Sequence, residues 1–227
     1  ITTINEPHHI YLVQHTETKK LYIKKILDVY NIAVYEYLYK NPIMGIPRII
    51  EYLEEDNRLI LIEEYISGCS LQDMIDDGKL SLTDIFCYIL EILHAHSPAI
   101  IHRDIKPSNI IITNYNKAVL LDFNAAKYYS EQEKDTMLLG TQGYAAPEQY
   151  GFGASSPQTD SNSLGILLKE MTTSINYSDK KIQAVIQKCT QVDPSGRYQD
   201  VRELRNELTH LTKLPSETGL SATAPCI

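Results

Sequence analysis

IIHRDIKPSNIII, residues 100–112, with LLDFN following at 120–124, is the stretch whose reading decides this chain. Asp104, Lys106, Asn109 and Asp122 are polar groups held between apolar runs, and a core does not select such residues. Residues 109–113 and 118–122 are β-rich and flank Asn114-Tyr115-Asn116-Lys117, which is turn chemistry. Paired as an antiparallel hairpin centred on that turn, the two runs set Asn109 directly across from Asp122. An amide oxygen and a carboxylate then converge, a hard-oxygen pair suited to Mg²⁺ carrying substrate phosphates. Asp104 lies one loop earlier, within reach of a hydroxyl approaching those phosphates. Lys106, two residues on, can meet the charge of a transferred group.

This arrangement resembles the catalytic loop and metal-binding motif of eukaryotic-like (Hanks-type) serine/threonine protein kinases, in a minimal bacterial form. His102-Arg103-Asp104 stands at the family's HRD, Lys106 and Asn109 at its following Lys and Asn, and Asp122-Phe123-Asn124 at DFG. GTQGYAAPEQY, residues 140–150, resembles the substrate-docking end of the activation loop. The resemblance implies an α+β, two-lobed fold: a small β-rich N-lobe with one helix at 1–66 and a larger helical C-lobe at 67–212. A disordered tail is expected at 213–227, where the composition turns small and polar.

The activity implied is transfer of the ATP γ-phosphate to Ser or Thr of protein substrates, with ATP and Mg²⁺ as cofactors. Asp104 would orient the acceptor hydroxyl and take up its proton, and Asn109 and Asp122 would hold the metal. Lys24 in LYIKK matches the Lys of V-A-I-K and would grip the inner phosphates, with Lys106 on the transferred one. Lys25, by strand alternation, is expected to face the other way. Glu36, the acid of the helical stretch 29–40, is a candidate partner for Lys24. Glu63, at a position the family usually keeps apolar, competes for that role, since a charge buried there alone costs several kcal/mol. Glu64 and Ile66 would offer backbone groups to the adenine at the hinge, with Gly68 easing the crossing. Thr141 would bridge Asp104 and Lys106, Asp160 would hold the catalytic loop's backbone, and Glu148 would pair with Arg197. Thr136 is a candidate phosphosite.

Two departures stand out. Counting back from Ile10, the three glycines that let backbone N–H groups approach ATP fall at Thr3, Asn5 and His8, none of them Gly. Asn124 replaces the Gly of DFG, and Asn is the non-Gly residue that best accepts a left-handed backbone there. These departures motivate an alternative reading, a pseudokinase acting as a nucleotide-binding or scaffolding module. A small-molecule phosphotransferase shares an Asp…Asn loop, but GTQGYAAPEQY and Lys106 favour protein substrates.

Composition bounds the rest. The chain has 227 residues, 43% hydrophobic and 22% charged, with a formal charge of −8 that argues against a nucleic-acid-binding surface. No apolar run approaches the roughly 20 residues of a membrane span, and the expected location is the cytoplasm. Cys69, Cys87, Cys189 and Cys226 form no C-x-x-C pair, so free thiols are expected. IYLVQ (10–14) and LYIKKIL (21–27) read as strands. Ser81 with Asp84 reads as a capping box opening a helix that runs to about residue 96. Residues 159–171 read as a buried helix, and 198–211 carry Val201, Leu204, Leu208 and Leu211 on one stripe. Oligomeric state and natural substrate leave no mark in the sequence.

Overall fold

The computed structural model describes residues 1–85, 87–88, 100–129, 139–151 and 153–212. Runs rich in β-branched and aromatic residues near the N-terminus produce strands Thr2–Asn5 (β1), Ile10–Gln14 (β2), Leu21–Leu27 (β3), Ile49–Glu55 (β4) and Arg58–Glu64 (β5). They form one antiparallel sheet in the order β1-β2-β3-β5-β4. Along β5 the side chains of Leu59, Leu61 and Glu63 turn inward and those of Arg58 and Glu64 outward. Helix α1, Ile32–Lys40, packs against β4 of this sheet. Asn31 caps its start by accepting from the Ala33 N–H, and it buries Val34, Tyr35 and Leu38. The short connection that follows is tied to the rest of the molecule: the Gly45 carbonyl accepts from Leu120 N–H at 2.8 Å.

The chain leaves this lobe through residues 65–67 and enters a second sheet, β6-β8-β9, made of Gly68–Ser70 (β6), Ile110–Thr113 (β8) and Ala118–Leu120 (β9). Glycine is required at 68, because a Cβ there would lie 2.1 Å from the Ile112 carbonyl oxygen. Ile100–Ile101 (β7) pairs with Lys127–Tyr128 (β10), and Leu71–Asp76 forms a short helix, α2. The capping box at Ser81 forms as expected: the Ser81 N–H and hydroxyl donate to Asp84, and Ser81 Oγ accepts from Asp84 N–H. The later course of that helix, including the expected end near residue 96, lies outside the described residues.

Among the described residues, three further helices follow: Pro157–Ser174 (α3), Lys180–Cys189 (α4) and Val201–Thr212 (α5). α3 buries Leu164, Leu167, Leu168 and Met171, and its first turns bury Thr159 to Ser163 as well. α5 places Val201, Leu204 and Leu208 in the core, with Leu211 packed beside it. α3 and α4 touch at Gly165, where a Cβ would come within 2.3 Å of Cys189 Cβ. Gly165→Ala should therefore destabilise the protein by about 1–3 kcal/mol through overpacking, despite alanine's better helix propensity. Chemical denaturation tests this, and an unchanged or higher midpoint would show that the helices part freely.

The cysteines divide. Cys87 and Cys189 take no part in a disulfide, and burial pushes the Cys189 thiol up to about 12. Cys69 is disulfide-bonded, against expectation, because spacing along the chain does not reveal which sulfurs the fold brings close. None of the described helices is long and apolar enough to cross a membrane.

Candidate active site

The loop between β7 and β8 is held from below. Asp160, buried at the start of α3, accepts from His102 N–H at 2.7 Å and Arg103 N–H at 2.8 Å. Arg103 adopts φ +66, a conformation that these bonds help to hold. His102 Nδ1 accepts from Asp104 N–H at 3.3 Å, so its Nε2 carries the proton donated to the Leu121 carbonyl at 2.9 Å. Its ring lies 4.6 Å from that of Phe123. His102 thus joins the loop carrying Asp104 to the one carrying Asp122.

Asp104 is the centre of a compact set. Thr141 Oγ1 donates to its Oδ1 at 2.7 Å, and Asn109 Nδ2 donates to its Oδ2 at 3.1 Å and to its carbonyl at 2.9 Å. Lys106 Nζ stands 3.0 Å from Asp104 Oδ2 and donates to Thr141 Oγ1 at 2.7 Å. Burial by itself would raise the Asp104 pKa. The hydrogen bonds from Thr141 and Lys106, with the Lys106 charge, outweigh it and hold the carboxyl below its ordinary value. Asp104 is thus an ionised acceptor with a positioned cation beside it.

The hairpin forms one register away from the expected one. Ile110 pairs with Leu120, and the next bond runs from Leu121 N–H to the Asn109 carbonyl at 2.8 Å, so Asn109 faces Leu121 and not Asp122. The cause is the turn. Thr113 N–H donates to the Lys117 carbonyl, leaving a three-residue loop whose last member, Asn116, takes φ +59. Asp122 instead reaches the cleft by leaving the strand with φ +63. Its Oδ1 is buried with no hydrogen-bond partner, an acceptor that suits a divalent cation. Asn109 commits its amide nitrogen to Asp104, which leaves its amide oxygen as the atom for a metal. Asn124 corrects a second expectation: its φ is not positive, so the left-handed backbone does not explain the residue. Its side-chain oxygen accepts from the Tyr35 hydroxyl of α1 at 2.7 Å.

The lysine of β3 is also corrected. Lys25, not Lys24, points into the cleft, where its Nζ lies 2.7 Å from Glu63 Oε1 and both side chains are at least nine-tenths buried. Burial opposes the charge on Lys25, but Glu63 and Asp122 overcome it and raise the pKa. Antiparallel pairing sets Ile23 opposite Glu63 and Lys25 opposite Leu61, so these residues share the inner face. Lys24 sits on the other face. Glu36 faces solvent and pairs with Lys40 at 3.6 Å, one helical turn on. Of the two candidate acids, Glu63 makes the buried pair. Glu64 ends β5 with its N–H bonded to the Arg48 carbonyl at 2.9 Å, and Ile66 follows in the connection to β6.

Thr3 and Asn5 lie within β1, and residues 6–9 turn back to β2 with His9 at φ +51. Side chains thus stand where the resemblance would have glycines. Thr136 lies outside the described residues.

At the far end of the site, Glu148 and Arg197 form the expected buried pair, with bonds of 2.8 and 2.9 Å. A residue not singled out from the sequence reinforces it. Gln149 is 4% exposed, donates to the Arg103 and Leu139 carbonyls, and accepts from Ala146 N–H. It thereby staples 139–149 to the Asp104 loop, and only its place beside Glu148 could have hinted at this.

Comparison with known proteins agrees with this geometry. The model of the protein kinase domain matches residues 9–217. Serine/threonine-protein kinase D of Synechocystis sp. is 30% identical, with 77% of this chain aligned to 40% of that protein. A probable serine/threonine-protein kinase of Clostridium acetobutylicum is 29% identical over 66% of this chain and 28% of its own length. Serine/threonine-protein kinase cds1 of Schizosaccharomyces pombe is 34% identical over 73% of this chain and 38% of its own. The chain thus spans well under half the length of these relatives. It belongs to the protein kinase domain family, as a Hanks-type serine/threonine kinase domain.

Proposed function

We propose that this domain transfers the γ-phosphoryl group of ATP to serine or threonine hydroxyls of protein substrates. The observation that carries this reading is the Asp104–Lys106–Thr141–Asn109 set together with the unpartnered, buried Asp122 oxygen. Asp104, ionised and hydrogen-bonded, orients the acceptor. The hydroxyl oxygen bonds the γ-phosphorus, the bond to ADP breaks, and the proton passes to Asp104. Lys106 meets charge on the transferred group, and Lys25 takes the role expected of Lys24 toward the inner phosphates. The backbones of Glu64 and Ile66 face the adenine. Asn109 and Asp122 are the residues to hold Mg²⁺, which when bound neutralises charge on the phosphate oxygens. Residues 1–66 and 67–212 act as the two lobes that close on the nucleotide. The need for ATP supports the cytoplasm as its compartment. The relatives support kinase activity, and the pseudokinase reading is not favoured over it.

The test compares Lys25→Met with Lys24→Met, using γ-labelled ATP and a generic basic protein as acceptor. Loss of one or two hydrogen bonds from a charged group should lower kcat/KM for ATP about 10- to 1000-fold in Lys25→Met. Lys24→Met should stay within about twofold of the parent. Thermal melts recorded alongside separate lost folding from lost binding. The reverse ranking would return the role to Lys24, and ATP binding without any transfer by the parent would establish the pseudokinase.

A further inference from the structure

With Lys25 anchored inside the sheet by Glu63 and Glu36 turned to solvent, α1 offers no acid to the β3 lysine. What it offers the site is Tyr35. This side chain is 3% exposed, and its hydroxyl donates to Asn124 Oδ1 at 2.7 Å. A tyrosine buried so deeply needs an acceptor for its hydroxyl, which Gly at 124 would lack and Asn supplies. Burial, then the charges of Asp122 and Glu63, push the phenol well above its ordinary pKa, so it remains a donor across the neutral range. The same helix makes a second contact with the same segment: Tyr37 and Tyr128 meet edge to face at 5.8 Å. α1 therefore grips 124–128 at both ends. Phe123, the residue between Asp122 and Asn124, is fixed from the opposite lobe by His102.

We propose that Tyr35 is a positioning residue whose hydrogen bond to Asn124 latches α1 to the loop carrying Asp122, a connection that Glu36 does not make. The latch rests on the reading of Asp122 as the residue that holds the metal. It aims the Asp122 carboxylate into the cleft, so that the position of α1 sets the metal affinity of the site and not its hold on the nucleotide base. Asn124 is then a matched partner of Tyr35, and the absence of Gly from this position has a physical reason.

Calorimetry with ADP, in Mg²⁺ and in EDTA, tests the proposal on the parent, Tyr35→Phe, Asn124→Ala and the double variant. Tyr35→Phe keeps the ring and removes one hydrogen bond, so it should reduce the affinity gain conferred by Mg²⁺ about 2- to 10-fold. Affinity in EDTA should hold within about twofold. Asn124→Ala should behave alike, and the double variant no worse than either, since one bond can be lost only once. Equal losses in Mg²⁺ and EDTA, or losses that multiply in the double variant, would overturn the latch. Should the parent gain nothing from Mg²⁺, the Asp122 reading fails by itself. Amide exchange at 124–128 then decides the latch: exchange about 2- to 10-fold faster in Tyr35→Phe supports it, and unchanged exchange overturns it.

Discussion

Asp104→Asn should lower kcat about 100- to 10,000-fold while leaving Mg²⁺·ADP affinity within about twofold. The substitution keeps the shape of the side chain and the Asn109 bond to the Asp104 carbonyl, so the loop should stay in place. What it removes is the anion. Thr141 and Lys106 both direct hydrogens at that carboxylate, and an amide would present a competing donor to one of them. The nucleotide contacts assigned to Lys25, Asp122, Glu64 and Ile66 do not involve Asp104. The pH profile adds a second check. Because the Thr141 and Lys106 hydrogen bonds and the Lys106 charge hold Asp104 below its ordinary pKa, its ionised form persists as pH falls, and the acid limb of kcat that it governs should lie lower than that of an unperturbed aspartate. Steady-state kinetics and calorimetry on one preparation test the assignment. Nucleotide affinity falling in parallel with kcat would mean that Asp104 organises the cleft, and an unchanged kcat would remove it from the chemistry.

The second large effect is on stability. Arg197 is 1% exposed and uses every N–H it has: Nε to the Gln191 carbonyl, one terminal nitrogen to Glu148 and the Gln158 carbonyl, the other to Glu148 and the Val192 carbonyl. Arg197→Ala strands the Glu148 carboxylate, itself 5% exposed, with the Thr159 hydroxyl as its remaining donor at 2.8 Å. The cost should be about 3–5 kcal/mol, a large fraction of the stability of a domain of this size. Replacing both partners by apolar residues of similar volume should cost less than either single change, because no uncompensated charge is then buried. Urea denaturation distinguishes these cases. A single variant as stable as the parent would falsify the buried-pair account. Gln149 ties the adjoining residues to the Arg103 carbonyl, so the loss should also loosen the loop carrying Asp104.

Much of this was legible in residue order. The strands at 10–14 and 21–27 appear where their β-rich composition and the polar turn between them placed them. The Ser81–Asp84 box and the α5 stripe are local signals, written in spacings of three and four residues, and they survive folding unchanged. The Glu148–Arg197 pair was legible for another reason: both residues sit in motifs whose order along the chain is characteristic, and an arginine that must be buried needs an acid. The types of the site residues, Asp104, Lys106, Asn109 and Asp122, likewise announced phosphoryl chemistry before any geometry was known.

The faces and registers were a different matter. In Leu21–Leu27 the apolar residues fall on both phases of the strand, so alternation alone could assign either Lys24 or Lys25 to the interior. Pairing with β5 made the choice, because Leu59, Leu61 and Glu63 were already committed to the core, and Lys25 alone could meet the acid there. The hairpin slipped by one residue for a similar reason, with Asn116 accepting the left-handed turn position and closing a three-residue loop. Tyr35 and Asn124 stand 89 positions apart in the chain. Local spacing determined the elements and the chemical inventory of this protein. Which side chain of each pair enters the cleft was decided only when strands from distant segments met, since a one-residue shift costs nothing in local propensity and exchanges the two faces completely.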